Sequence, residues 1–172
     1  MIIVEGMDNT GKTTLIKNLV SEFKLDVRGS PSHLVGTPQL MLWVEDEIEI
    51  KYDKPPIYDR WPLISEEVYG PMLRGSSDAE GRFIGWAARM GALIIYCKPP
   101  IEKILNFGTR AQMEGVITHG KLLVKEYDKV MKRYAQQGWG VVMYDYTRVG
   151  SYSKVRSIVQ QYIDKYPRRG TW

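Results

Sequence analysis

Only one cysteine occurs in the 172 residues, so no internal disulfide can form. Its place in an apolar run marks Cys97 as a buried, inert thiol. No stretch is long and apolar enough to span a bilayer. Met1 leads straight into Ile2-Ile3-Val4 without a basic leader, so a cleaved signal peptide is not expected. A reducing, cytoplasmic setting fits these absences. Strong charge is lacking too, with 24 Lys and Arg against 20 Asp and Glu, a net +4. That balance suits a small polyanionic ligand and argues against a nucleic-acid partner or a membrane surface. Lys165 and the Arg168-Arg169 pair read as a solvated terminus. There is no repeat, no low-complexity tract and no linker, so residues 1–172 are expected to form a single domain.

What is present is an alternation of strand and helix signals, the pattern of an α/β fold with a parallel sheet. Ile2 to Glu5 is short, β-branched and closed by Gly6. Leu15, Ile16, Leu19, Val20 and Phe23 recur at helical spacing and predict a helix over 12–24. A weak strand is expected near 25–28. Thr37-Pro38 opens a second helix through Leu40, Met41, Val44 and Ile48. Pro56-Ile57-Tyr58 reads as a strand ending at Asp59-Arg60, and 78–90 as a helix. Ala92 to Cys97 is almost wholly apolar, the mark of a central parallel strand. A short helix to about 107, a long one over 120–136, a strand over 141–144 and a helix through Val155 to Ile163 complete the chain. The polar stretch 109–120, with two glycines, reads as a short lid.

Gly6-Met7-Asp8-Asn9-Thr10-Gly11-Lys12-Thr13 fits G-x-x-x-x-G-K-[ST] at every fixed position. The glycines let successive backbone N–H groups turn inward onto phosphate oxygens, and the following helix adds its positive end. Lys12 brings a mobile charge to the outer phosphates, and Thr13 a hydroxyl for Mg²⁺. The loop alone therefore predicts a nucleoside triphosphate with Mg²⁺, on Gly6, Asn9, Thr10, Gly11, Lys12, Thr13 and Thr14, and does not separate kinases from GTPases or from motor and helicase ATPases. No guanine-reading N-K-x-D pattern is visible, and no apolar run ends in an Asp-Glu pair. Glu45-Asp46-Glu47 lies on the second helix, where a solvated face is expected.

Asp59 and Arg60 close a strand, and strand carboxyl ends line the ligand crevice of such sheets. From there Asp59 can reach Mg²⁺ or an acceptor hydroxyl, and Arg60 can clamp a phosphate. The segments Glu5 to Thr14 and Asp59-Arg60-Trp61-Pro62-Leu63-Ile64-Ser65-Glu66-Glu67-Val68-Tyr69-Gly70 resemble the thymidylate kinase-like branch of P-loop nucleoside and nucleotide kinases. The short length and the wording of 59–74 resemble the small nucleotide kinases of bacteriophages.

The resemblance implies a three-layer P-loop fold, with a five-stranded parallel sheet and a lid, and a homodimer. It implies ATP-dependent phosphorylation of a deoxynucleoside monophosphate, dTMP first, with a deoxynucleoside kinase as the alternative. Asp8 would face the sugar 3′-hydroxyl, Arg60 the acceptor phosphate, Tyr69 the deoxyribose and Ser65 the base or phosphate. Arg110 would close from the lid, and the loop carrying Arg148 would pass over adenine. Trp43 stands where the family stacks a phenylalanine on the base, without the accompanying arginine. Arg28-Gly29-Ser30-Pro31-Ser32 replaces the family's Arg-Glu-Pro-Gly-Gly, so the base is left open. Arg82, with Trp86 and Arg89, is spaced to share a helix face toward the acceptor, or to be solvated. Glu5 and Asp59 are the carboxylates available to a nucleoside hydroxyl.

Overall fold

The structure is a computed structural model and describes residues 1–31, 38–73, 75–77, 91–106 and 116–166. In chain order the elements are β1 (Ile2–Glu5), α1 (Lys12–Phe23), β2 (Val27–Gly29), α2 (Pro38–Glu49), β3 (Ile57–Asp59), α3 (Pro62–Leu73), β4 (Leu93–Cys97), α4 (Ile101–Ile104), α5 (Val116–Gln136), β5 (Gly140–Tyr144) and α6 (Ser151–Lys165). The strands form one parallel sheet in the order β2-β3-β1-β4-β5.

Pleat alternation divides the apolar strand residues between two faces. Ile2, Val4, Leu93, Ile95 and Cys97 pack with Leu15, Ile16 and Leu19 of α1 and Val155 and Val159 of α6. Ile3, Tyr58, Ile94 and Tyr96 pack with Leu40 and Val44 of α2, Leu63, Ile64 and Val68 of α3, and Leu123, Tyr127 and Val130 of α5. The result is three layers, helices on both faces of the sheet, as the all-apolar runs at β1 and β4 require. In register, Val4 stands opposite Asp59 on one side and Ile95 on the other, so β1 delivers the glycine-rich loop between the ends of β3 and β4.

Three readings change. Helix α3 was not anticipated, because it has no polar face to betray it: Pro62, Leu63, Ile64, Glu66, Val68, Tyr69 and Gly70 are all buried, and Gly70-Pro71 looks like a break. Helix α5 starts at Val116, so residues 116–120 of the expected lid belong to its first turns. Glu47 does not lie on a solvated face. It is 4 % exposed, and its carboxylate accepts both Nε and Nη2 of Arg28 at 3.0 Å, Tyr52 Oη at 2.6 Å and Tyr58 Oη at 2.8 Å. Buried carboxylates persist only with such a full set of donors. The helix expected over 78–90, Thr37, the 109–115 part of the lid and the Arg168-Arg169 pair fall outside the described residues.

Candidate active site

The loop between β1 and α1 takes its shape from backbone that only certain residues tolerate. Gly6 has φ of 138°, and a Cβ there would lie 2.5 Å from the Cys97 carbonyl oxygen at the end of β4. Gly11 has φ of 85° and lies beneath the ring of Tyr146, which would stand 2.9 Å from a Cβ. Asn9, at φ of 65°, is the asparagine such a left-handed position favours. Its Nδ2 donates to the carbonyls of Lys103 at 2.8 Å and Asn106 at 2.9 Å, tying the loop to the end of α4. Inside the turn, the Met7 carbonyl accepts from Thr10 Oγ1 at 2.8 Å and Lys12 Nζ at 2.6 Å.

A cleft of about 570 Å³ opens over this loop, lined by Asp8, Asn9, Thr10, Gly11, Lys12, Thr13, Thr14, Asp59, Arg60, Tyr144 and Tyr146. Nine of these eleven were expected from the sequence, brought together from two segments some fifty residues apart. The guanidinium of Arg60 pairs with the carboxylate of Asp8. The backbone N–H of Arg60, at φ of 69°, donates to the Val4 carbonyl at 3.0 Å and anchors it beside β1. Burial, then the charge of Arg60, lowers the Lys12 ammonium to about 8, against the opposing pull of Asp8 and Asp59. Such a lysine lacks a full counter-charge and is ready for an anion.

Glu5 is fully buried beneath the cleft. Its carboxylate accepts the Trp61 N–H at 2.6 Å, the Gly6 N–H at 3.4 Å and the Tyr127 hydroxyl at 3.4 Å. One side chain thus fastens the end of β1 to the start of α3 and to α5. Burial raises its carboxyl to about 7, against the Trp61 N–H and the charges of Arg60 and Lys12. With its oxygens committed inward, Glu5 is a support of the site, and Asp59 is the carboxylate of the pair that lines the cleft.

Four expected residues stand apart from the phosphate cleft. Trp43 is partly buried on α2 with its ring 5.6 Å from that of Trp61. Ser65 and Tyr69 lie on α3, and the Tyr69 ring meets Tyr127 edge-on at 6.0 Å. Arg148 sits in a neighbouring cleft of about 720 Å³ between the ends of β4 and β5, paired with Asp145 at 3.2 Å. Arg82 and Arg110 lie outside the described residues. Tyr144, Tyr146 and Tyr127 were missed. Tyr144 and Tyr146 follow or end a strand, where the crevice lies, but nothing local marks them.

The donor set suits Mg²⁺. Thr13 and Asp59 offer one hydroxyl and one carboxylate to the same cleft, few ligands for a cation that keeps waters and binds largely through phosphates. Among the described residues no cluster of three His, Cys, Asp or Glu could cage a metal by itself.

No protein-family model matches the sequence, and neither does a curated protein. Solved structures do. YorR from Bacillus subtilis, in complex with phosphorylated GDP, superposes with a TM-score of 0.73 at 19 % identity, over 95 % of each chain. Deoxyadenosine kinase from M. mycoides, with dCMP and a flexible dCDP bound, superposes with a TM-score of 0.59 at 12 % identity, over 96 % of this chain and 99 % of that one. The fold is that of the P-loop kinases. No described helix is long and apolar enough to cross a membrane.

Proposed function

We propose that the protein transfers the γ-phosphoryl group of ATP to a deoxynucleoside monophosphate, dTMP first, yielding the diphosphate. One observation carries this reading: Lys12 on the phosphate loop and Arg60 at the end of the adjacent strand share one cleft, so two anions can be held facing each other. Likeness to a deoxyadenosine kinase with nucleotide products bound agrees with an acceptor of this size.

Phosphoryl transfer needs alignment and neutralised charge more than covalent help. ATP lies on Gly6, Asn9, Thr10, Gly11, Lys12, Thr13 and Thr14, with the loop amides and Lys12 on its outer phosphates. Its nucleoside end runs toward the cleft that holds Arg148. Mg²⁺, held by Thr13 and by Asp59 directly or through water, would neutralise the terminal phosphate oxygens. Arg60 takes the acceptor phosphate. Two unit charges 4 Å apart repel by about 4 kcal/mol at the screening of a partly buried site, and this is the repulsion Arg60 and Lys12 offset. Arg110 is the lid residue proposed to join them. Asp8, released from Arg60, meets the sugar 3′-hydroxyl, and Trp43 borders the base. A monophosphate oxygen is already ionised, so no strong base is needed.

The alternative acceptor, a deoxynucleoside, would need a carboxylate on its hydroxyl, and Asp59 faces the cleft to supply it. The test is to incubate the protein with ATP, Mg²⁺ and each of thymidine, dTMP, dGMP, dAMP and dCMP, and to follow phosphate gain. Turnover of dTMP or another monophosphate supports the proposal. Turnover of nucleosides alone refutes it.

A further inference from the structure

A second hollow lies at the other end of the sheet from the phosphate loop. It holds about 230 Å³ and is walled by Met1 before β1, Pro56 before β3 and Gly91 before β4, together with the end of α2, the chain that follows it and the end of α6. Its shape is set by bonds within its walls. The Tyr52 and Tyr58 hydroxyls are held on Glu47, itself gripped by Arg28. On another wall the Tyr162 hydroxyl accepts from Met1 N at 2.9 Å and donates to the Met1 carbonyl at 3.0 Å, which pins α6 to the start of β1. Preformed hollows, mostly apolar with a few fixed polar groups, are where small molecules bind.

The lining indicates the chemistry of an occupant. Ile48, Ile50 and Pro56 are aliphatic, and Tyr52, Tyr162 and Tyr166 add rings, the last two 6.1 Å apart. Such a surface suits a flat aromatic body. An apolar cavity of about 150 Å³ already admits benzene, so this hollow has room for one ring with a substituent at each end. Among the charges, Glu47 is matched by Arg28. Lys51 and Lys165 also line the hollow, and both are exposed, with no ion-pair partner among the described residues. Glu49, Asp53 and Asp164 flank them along the chain without lining it. The carboxyl ends of α2 and α6 bring about half a negative charge each, less than the two ammonium groups supply. The rim is therefore positive. Tyr52 gives its proton to Glu47 at 2.6 Å and Tyr58 at 2.8 Å, so toward an occupant the Tyr52 hydroxyl can only accept.

We propose that this hollow is a ligand site for a small aromatic acid. The ring lies among Tyr52, Tyr162 and Tyr166, the anionic group meets Lys51 and Lys165, and an O–H or N–H across the ring donates to the Tyr52 hydroxyl. The site is separate from the phosphate cleft and stands whether or not the chain is a kinase. It shares a strand with that cleft, since Tyr58 in its wall is followed directly by Asp59 and Arg60.

The test uses matched probes titrated into the ¹⁵N-labelled full chain. Para-hydroxybenzoate has the ring, the anion and the O–H; benzoate lacks the O–H; para-hydroxybenzyl alcohol lacks the anion. With about ten heavy atoms, para-hydroxybenzoate should bind with a Kd of about 1 mM or below. It should move the amide signals of Ile48, Ile50 and Lys51 and leave those of Gly11 and Lys12 in place. Benzoate and the alcohol should each bind about threefold to tenfold more weakly, one for want of a hydrogen bond and the other of an ion pair. Lys51→Gln combined with Lys165→Gln, both on the surface, should weaken para-hydroxybenzoate by about the same factor and leave the alcohol within about twofold. Tyr52→Phe should erase the preference for para-hydroxybenzoate over benzoate. A Kd above about 10 mM for all three probes overturns the proposal. So do equal affinities, which would mean that the hollow reads neither charge nor hydrogen bond, and shifts confined to Gly11 and Lys12, which would put the probe on the phosphate loop. A preference that survives Tyr52→Phe overturns the place given to Tyr52.

Discussion

Replacing Glu5 by glutamine should remove a pH dependence from the stability of the whole fold. The carboxyl is fully buried and raised from an ordinary 4.5 to about 7, chiefly by burial, with Trp61 N–H, Arg60, Lys12 and Gly6 N–H acting the other way. Between those two values the folded protein holds a proton that the unfolded chain has released, so stability falls as pH rises. The cost is absent below pH 4.5 and complete above about 7, where it reaches about 3 kcal/mol, and about 2 kcal/mol of it develops between pH 5 and 7.5. Glutamine keeps an oxygen for the Trp61 N–H, now accepted at 2.6 Å, and cannot ionise. Lys12, lowered to about 8, acts with the opposite sign and in a higher window, where stability rises with pH. Measurements ending at pH 7.5 keep the two apart. Urea unfolding of both proteins at pH 5, 6, 7 and 7.5 gives the difference at each pH. It should shift in favour of Glu5→Gln by about 2 kcal/mol across the series. A difference that stays constant would refute the reasoning, since it would mean that Arg60 and the N–H donors keep Glu5 ionised throughout.

Lys12→Ala should lower kcat by at least about a hundredfold while leaving the urea midpoint at neutral pH no lower, since a buried ammonium that burial disfavours is removed. The Met7 carbonyl that Lys12 occupies keeps its bond from Thr10. Arg60→Ala should reduce kcat/KM for the acceptor by about a hundredfold or more and change the KM for ATP by less than about threefold; equal loss of both would contradict its place opposite the donor. Gly11→Ala should cost about 1–2 kcal/mol through its φ alone and weaken ATP binding in a calorimetric titration. Adding Tyr146→Ala should relieve only the steric share, because the 2.9 Å contact goes and the positive φ stays.

The sheet was legible where local pattern and tertiary role agree. Ile2 to Val4 and Leu93 to Cys97 are apolar because both faces of a central parallel strand are covered, and they appear where expected. The phosphate loop was legible because its geometry demands particular residues at fixed spacing. Helix α3 was hidden for the converse reason: burial around most of its circumference erases the stripe that announces a surface helix. Glu47 misled because a charged residue in a charged run looks solvated until Arg28, Tyr52 and Tyr58 converge on it from other elements. The pairing of Arg60 with Asp8 and the stacking of Tyr146 over Gly11 are products of chain folding across 52 and 135 positions, and no window of sequence contains them.

The seat of Gly6 against the Cys97 carbonyl, and the reach of Glu5 to Trp61 and Tyr127, bear on how the molecule is made. During synthesis the glycine-rich motif emerges before the strand that backs it and the tyrosine that steadies it, which follow only much later in the chain. Domains generally fold as units during synthesis, and here the phosphate loop waits for a mould that is made after it. A nascent chain halted before β4 carries every letter of the nucleotide motif and has no grip on a nucleotide.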